Sequence, residues 1–159
     1  MPLNRDFVGR RYRSADVYEV SREKIREFAI ATRDSNPAFF DPGAAKALGH
    51  PDVIAPPSFA FMLYFRFGGW PLYDPGFGKK EEPVCLLRAQ QVVHARPIRP
   101  GDLLTQTSTV NYIRDIGPHE QWMSTHEIAT VAGEHVCTVI NTMISRGTAE
   151  TEQARGFED

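Results

Sequence analysis

The second half of the chain consists of extended segments that follow one another with no helical pattern between them. They cover roughly residues 84–96, 102–113, 120–131 and 134–145. In the last segment, successive side chains alternate with the period of two that is typical of a strand with apolar neighbours on both faces. A parallel sheet needs a helix between successive strands, and here the helical patterns are confined to the first half. The sequence therefore predicts an α+β fold with an antiparallel sheet.

Two turn sequences predict how these strands pair. Ala132-Gly133 indicates a hairpin between the last two strands, and Pro100-Gly101 indicates a hairpin between the first two. Both turns together predict a sheet that meanders from one strand to the next.

The first half predicts three helices. Ser21 caps the first, which ends near Asp34, and a short second helix covers residues 43–48. In the third, Pro57 occupies the first turn, and the residues that follow are apolar on nearly every side as far as Gly68. A helix of this kind is a buried one, so we expect one long apolar helix in the concave face of the sheet.

Length and composition indicate one globular domain. The chain has 159 residues, of which 42% are hydrophobic and 24% are charged, and these are ordinary values for a single core. We expect the domain to cover residues 1–146 and a polar, flexible tail to cover residues 147–159.

The same data disfavour several classes of protein. A net charge of -2 with scattered Lys and Arg disfavours nucleic-acid binding. The sequence has no apolar leader and no run that could span a membrane, so a cytoplasmic location is predicted. Cys85 and Cys137 are isolated from other potential ligands, so we expect no disulfide, no metal site and no cofactor.

Three strings of the sequence resemble one family. The string Asp34-Ser35-Asn36-Pro37-Ala38-Phe39, which follows a helix end, is similar to the Gly-Asp-x-Asn-Pro-x-His motif of MaoC-like hydratases. Residues 44–59 resemble the family's short helix, turn and entry to the central helix, and residues 96–102 resemble the turn before its second long strand. The chain thus resembles the MaoC-like hydratase/dehydratase superfamily over roughly residues 18–146.

Within that superfamily the sequence is most similar to the N-terminal MaoC-like dehydratase group, which includes the A-type subunit of the (3R)-hydroxyacyl-ACP dehydratase. The resemblance implies a hot-dog fold, in which the antiparallel sheet wraps around one long helix. It also implies reversible addition of water to a trans-2-enoyl thioester, with an Asp and a His five residues apart transferring the protons.

The sequence departs from this pattern at two points. Asp34 and Asn36 match the motif, but Phe39 occupies the position of the His, and a phenyl ring transfers no proton. In such folds a backbone N–H at the start of the central helix polarises the thioester carbonyl. Pro57 has no N–H, which leaves Ser58 or Phe59 as the donor. We therefore expect a site that lacks part of its catalytic machinery.

Several residues have two interpretations. His50 either replaces the missing base or lies at a turn, and Asp34 either caps a helix end or keeps a catalytic role. His94, His126 and His135 are expected to be surface or structural residues. One set of aromatic side chains either lines an acyl tunnel or belongs to the core; the set is Phe39, Phe40, Phe59, Phe61, Tyr64 and Phe65.

Three functions fit these observations. The leading hypothesis is an acyl-thioester-binding, non-catalytic subunit that pairs with a second, catalytic hot-dog chain in a (3R)-hydroxyacyl-thioester dehydratase or enoyl hydratase. The second is a self-sufficient homodimeric hydratase/dehydratase that uses Asp34 with an unusual His such as His50. The third is a non-enzymatic module that binds acyl thioesters. In each case the ligand is an acyl-CoA or an acyl group on a carrier protein.

Overall fold

Six antiparallel strands form one sheet in the computed structural model, which describes residues 2–78 and 84–149. The four segments predicted in the second half are all strands, and two short strands precede them. The bounds are β1 Arg11–Arg13, β2 Tyr18–Glu19, β3 Cys85–His94, β4 Leu103–Ile116, β5 His119–Thr130 and β6 His135–Ser145.

The order of the strands differs from a simple meander. The order is β1-β4-β5-β6-β3, and β2 also pairs with β4. The predicted hairpin at Ala132-Gly133 is confirmed, because β5 and β6 are neighbours. The predicted hairpin at Pro100-Gly101 is wrong, because β3 pairs with β6 and the chain crosses the sheet before β4. Gly101 does reverse the chain with a φ of +85°, but its N–H donates to Val20 O rather than closing a two-strand ladder.

Within residues 2–78 and 84–149, three α-helices and three short 3-10 helices complete the fold. The α-helices are α1 Arg22–Ala31, α2 Pro42–Ala47 and α3 Phe59–Arg66, and the 3-10 helices are Arg5–Phe7, Pro37–Phe39 and Pro75–Phe77. As predicted, the Ser21 hydroxyl caps α1 by accepting from the Lys24 N–H. The Asp41 carboxylate caps α2 in the same way.

The central helix α3 is shorter than the sequence predicts. It has eight residues and starts after Pro57, because the Phe59 N–H donates to Pro56 O and closes a β-turn there. It is also not buried on every side. Phe59, Ala60 and Leu63 are inaccessible, whereas Phe65 is 43% exposed.

The interior contains two apolar clusters. In the first, α3 packs against α1 and the sheet through Phe59, Leu63, Ile25, Leu104 and Ile128. The second lies under the connection between α3 and β3, where Trp70, Leu72 and Phe77 pack with Phe7 and Trp122.

The sequence of the connection between α3 and β3, rich in Gly, Pro and aromatic residues, predicts an irregular loop with a solvated segment over residues 79–82. The first part of this connection contributes core residues, and the segment 79–82 lies outside the described residues. Of the predicted tail, residues 147–149 are described and Thr148 is buried. Residues 150–159 lie outside the description, so the domain boundary stays a prediction.

A polar cluster lies in the sheet below α3. The imidazole of His126 is inaccessible to solvent and lies 2.8 Å from the hydroxyl oxygens of both Ser108 and Ser124. The ring of Tyr64 covers it at a centroid distance of 4.5 Å. Burial lowers the pKa of His126 to about 3, because a charged imidazole loses its hydration there. His126 is thus a structural histidine, as predicted, and is neutral in the folded protein.

The buried imidazole predicts a pH-dependent stability. The unfolded chain protonates His126 below a pH of about 6.5, whereas the folded chain keeps it neutral down to about 3. Its contribution to stability is therefore present above pH 6.5 and is lost as the pH falls, with a slope that approaches about 1.4 kcal/mol per unit well below pH 6.5. We expect the free energy of unfolding in urea to fall by about 2 kcal/mol more between pH 7 and pH 5 in the wild type than in His126→Gln. The exposed His135→Gln is the matched control; equal slopes in all three proteins would contradict the prediction.

Candidate functional site

A cavity of about 500 Å³ lies between the end of α1, the entrance to α3 and the end of β3. Its walls combine a carboxylate, an amide, an imidazole and a guanidinium with apolar side chains. The lining residues are Asp34, Asn36, Phe39, Ile54, Ala55, Pro57, His94, Ala95, Arg96 and Pro97. The fold thus brings together residues from three separate parts of the sequence.

The hydrogen bonds that end α1 place the motif residues beside the cavity. The Asp34 N–H donates to Ala29 O, and the Arg33 N–H donates to Ile30 O. This is the pair of bonds that defines a Schellman motif, whose terminating residue is left-handed. Arg33 occupies that position with a φ of +55°. The motif of the resembled family has Gly there, and Gly adopts this conformation without strain.

Asp34 and Asn36 both have structural partners. An Asp34 carboxylate oxygen accepts from the Asn36 N–H at 3.3 Å, and the Asn36 amide oxygen accepts from the Ala38 N–H at 3.0 Å. The second bond caps the 3-10 helix that ends at Phe39. Phe39 is 4% exposed and belongs to the core, and it is one of the residues that line the cavity.

The entrance to α3 offers few free backbone donors. Pro56 and Pro57 have no N–H, and the Phe59 N–H is used within the β-turn. Ser58 has φ -69° and ψ -11°, close to the values of the third residue of a type I turn. Within the described residues its N–H has no partner. Of the two backbone donors predicted from the sequence, Ser58 and Phe59, only the Ser58 N–H has no hydrogen-bond partner among the described residues.

His94, rather than His50, is the histidine of this cavity. Its Nε2 lies 3.0 Å from Pro57 O, and since a carbonyl oxygen only accepts, Nε2 carries the proton. Nδ1 is buried and has no partner among the described residues. His50 follows α2 and does not line the cavity. Sequence reasoning assigned His94 to the surface or to a structural role, and the sequence has no local signal that links it to Asp34.

Arg96 holds the cavity wall in place. Its guanidinium makes two bonds of 2.9 Å to the Asp102 carboxylate. Two further bonds, of 2.7 and 3.0 Å, reach Glu134. The bonds to Glu134 and Asp102 raise the pKa of Arg96, and the same contact lowers the pKa of Glu134. Residues 96–102 thus form a loop whose two ends are held together by the ion pair between Arg96 and Asp102.

The aromatic residues of α3 lie away from this cavity. Phe59 is inaccessible core, and the Tyr64 hydroxyl donates to Gly69 O. Phe61 and Phe65 pack edge to face at 5.1 Å on the more exposed side of the helix. Their predicted role in substrate binding stays a prediction.

Two further observations concern ligands and membranes. Among residues 2–78 and 84–149, no group of three or more His, Cys, Asp and Glu side chains is arranged to hold a metal ion. Within the same residues, no helix is long and apolar enough to cross a membrane.

Comparison with known proteins identifies the family. A family described as "FAS1-like, dehydratase domain region" matches residues 6–139. The chain belongs to the MaoC-like hydratase/dehydratase superfamily. Curated UPF0336 proteins of Streptomyces avermitilis and Saccharopolyspora erythraea are each 45% identical to this MaoC-like chain over 150 residues. That alignment covers 94% of this chain and 99% and 96% of the two relatives.

Solved structures of MaoC-like proteins share the hot-dog fold. The HadBC (3R-hydroxyacyl-ACP dehydratase) complex from Mycobacterium tuberculosis matches with 27% identity and a TM-score of 0.74 over 87% of this chain and 97% of that one. A MaoC-like dehydratase matches with 28% identity and a TM-score of 0.81 over 88% of this chain. This chain covers 42% of that protein's length. The predicted hot-dog fold is confirmed.

The ion pair of the cavity wall gives a stability prediction. Arg96→Met leaves the Asp102 carboxylate, whose side chain is 7% exposed, without its cation. We expect the free energy of unfolding in urea to fall by about 3–5 kcal/mol, because an unpaired buried charge is costly. Glu134→Gln is the matched control: its side chain is 54% exposed, so we expect a loss below about 1 kcal/mol. A similar loss in both variants would contradict this account of the wall.

Proposed function

We propose that this chain is the acyl-thioester-binding subunit of a hydratase/dehydratase, and that a second hot-dog chain performs the proton transfers. The observation that carries the proposal is the substitution inside the cavity. Asp34 and Asn36 line it, but the lining position that corresponds to the motif's His is occupied by Phe39. Both of the remaining motif residues are engaged in turn and cap hydrogen bonds.

The reaction requires more proton-transfer groups than this motif retains. In the dehydration direction, a base removes a proton from C2 of a 3-hydroxyacyl thioester, and the C3 hydroxyl leaves with a proton as water. Hydration reverses both transfers. The thioester oxygen meanwhile gains negative charge and needs a donor. In our proposal the partner supplies the Asp/His pair, and this chain supplies the acyl-binding cavity and the Ser58 N–H.

The edge strand β3 supports pairing with a second chain. It pairs only with β6 among the described strands, so its other side is open. Leu86, Leu87 and Val93 of β3, and Val84 just before it, are between 44% and 49% exposed. An apolar open edge invites pairing with another strand, and joining two sheets removes it.

The comparisons support a partner of the same kind. HadBC, with 27% identity, is a complex of a (3R)-hydroxyacyl-ACP dehydratase. We also propose that this chain has the A-type role in such an enzyme and that it lies in the cytoplasm. Its ligand in this proposal is an acyl thioester of CoA or of a carrier protein.

A second candidate is a self-sufficient homodimeric hydratase. The observation that favours it is the position of His94, which lines the same cavity as Asp34. An imidazole that reaches the substrate from β3 would substitute for the missing motif His. His94 is already bonded to Pro57 O, however, and the other ring nitrogen is buried, so we rank this candidate second.

Turnover by the isolated chain separates the candidates. We expect the purified protein to hydrate crotonyl-CoA negligibly, because losing a general acid/base costs about 10²- to 10⁴-fold. The loss of enoyl-thioester absorbance measures the rate. Co-purification with a hot-dog chain that carries an intact Asp-x-Asn-Pro-x-His motif, such as one encoded in a neighbouring reading frame, should restore it. Robust turnover by the pure chain that His94→Ala abolishes would favour the homodimer, and binding without turnover in any pairing would favour a non-enzymatic module.

Phe39 provides a direct test of the motif alignment. Because its ring lies in the wall that Asp34 also lines, Phe39→His should bring an imidazole to the cavity. We expect a small rise in crotonyl-CoA hydration over wild type that disappears when Asp34→Asn is added. Full activity is not expected, since proximity alone recovers only part of the barrier. Phe39→Ala controls for the lost ring volume; an equal rise in Phe39→Ala would contradict the alignment.

A further inference from the structure

One hydrogen bond joins the edge strand β3 to the entrance of α3. His94 is the last residue of β3, and its Nε2 donates to Pro57 O at 3.0 Å. Both residues line the cavity that contains Asp34. The bond therefore connects two proposed sites. One is β3, the strand that we propose pairs with the partner, and the other is the turn before α3, where we propose that the thioester binds.

Pro57 O is available to His94 because the helix does not use it. In a regular helix this oxygen would accept from the N–H four residues later, at Phe61. The Phe61 N–H instead donates to Ser58 O at 3.0 Å, which is the tighter pattern found at helix ends.

The Pro57 carbonyl and the Ser58 N–H belong to the same peptide group. A peptide group is planar, and in the trans form its C=O and N–H point in opposite directions. A bond that fixes Pro57 O therefore also fixes the direction of the Ser58 N–H. Ser58 is an exposed residue next to the cavity-lining Pro57, and its N–H is the donor that remains after the prolines and the turn bond of Phe59 are accounted for.

We infer that His94 is a positioning residue, which orients the peptide group between Pro57 and Ser58 so that the Ser58 N–H can receive the carbonyl oxygen of an acyl thioester. His94 itself transfers no proton in this role. Only the Nε2–H is required, so an amide nitrogen at the same place can replace the imidazole. The identity of the ligand in this inference rests on the proposed function. The orientation of the peptide group by His94 does not depend on it.

The test compares His94→Ala with His94→Gln. The Gln side chain has an N–H₂ group at about the distance of Nε2 and no imidazole, whereas Ala has neither. The exposed His135→Ala, which lies outside the cavity lining, is the matched control. Two quantities are measured on the full chain: the amide ¹⁵N resonance of Ser58, which responds to hydrogen bonding at the carbonyl of its own peptide group, and the affinity for the unreactive thioester butyryl-CoA. Thermal melting accompanies both.

We expect the Ser58 resonance to move in His94→Ala and to return towards its wild-type position in His94→Gln. The affinity for butyryl-CoA should fall by about five- to ten-fold in His94→Ala, the effect of one hydrogen bond, and should stay within about two-fold of wild type in His94→Gln and His135→Ala. A merely structural role would lower the melting temperature without rescue of affinity by Gln.

The outcomes separate this inference from the proposed function. If the wild type binds butyryl-CoA and both His94 variants bind it equally well, the inference is wrong and the proposed function stands. If the Ser58 resonance responds as expected but the wild type binds no acyl thioester, alone or with a partner, the orientation by His94 stands and the proposed function is wrong. If the Ser58 resonance is the same in His94→Ala and wild type, the positioning role is excluded directly.

Discussion

The burial of one side of α3 against the sheet is the contact on which the rest of the architecture depends. Phe59, Ala60 and Leu63 lose all of their accessible surface there, and complete burial of a large apolar side chain contributes about 1.5–3 kcal/mol. A helix of eight residues is too short to be stable by itself. Its position is therefore set by the sheet below and by the turn before it. This contact places the start of α3 beside the ends of α1 and β3, where the cavity forms.

Periodicity was sufficient to predict the strands but not their order. The four long strands follow from alternation along the second half, and a wide sheet with this pattern has few alternatives to an antiparallel arrangement. The position of β3 at the far edge of the sheet could not be predicted. Gly101 can reverse the chain both in a hairpin between β3 and β4 and in the observed crossover, so the turn sequence does not specify which strands pair. The length of α3 was overestimated for a related reason. Pro57 suits the first turn of a helix and the second position of a β-turn equally well.

The candidate site shows that residues of a catalytic motif also serve the local backbone. Asp34 and Asn36 were predicted from a catalytic motif, yet each has a hydrogen bond that the local backbone needs: Asp34 accepts from Asn36, and Asn36 caps the 3-10 helix. These bonds are independent of Phe39, so the loss of the imidazole removes no support from the loop. Sequence alone does not separate the two roles, because the same residue types serve turns and proton transfer. His94 was missed because the cavity joins it to Asp34 across 60 positions of sequence, and no local spacing reports such a contact.

The two prolines at the helix entrance have opposite consequences. They favour a tight turn, since proline already has the φ that the turn requires, but they also remove two N–H groups from the place where a thioester carbonyl needs a donor. The turn leaves one N–H, that of Ser58, and frees one oxygen, that of Pro57, on the same rigid peptide group. An imidazole from the edge strand binds that oxygen. This hydrogen bond thus links the entrance of α3, where one backbone donor remains, to β3, which pairs only with β6 among the described strands.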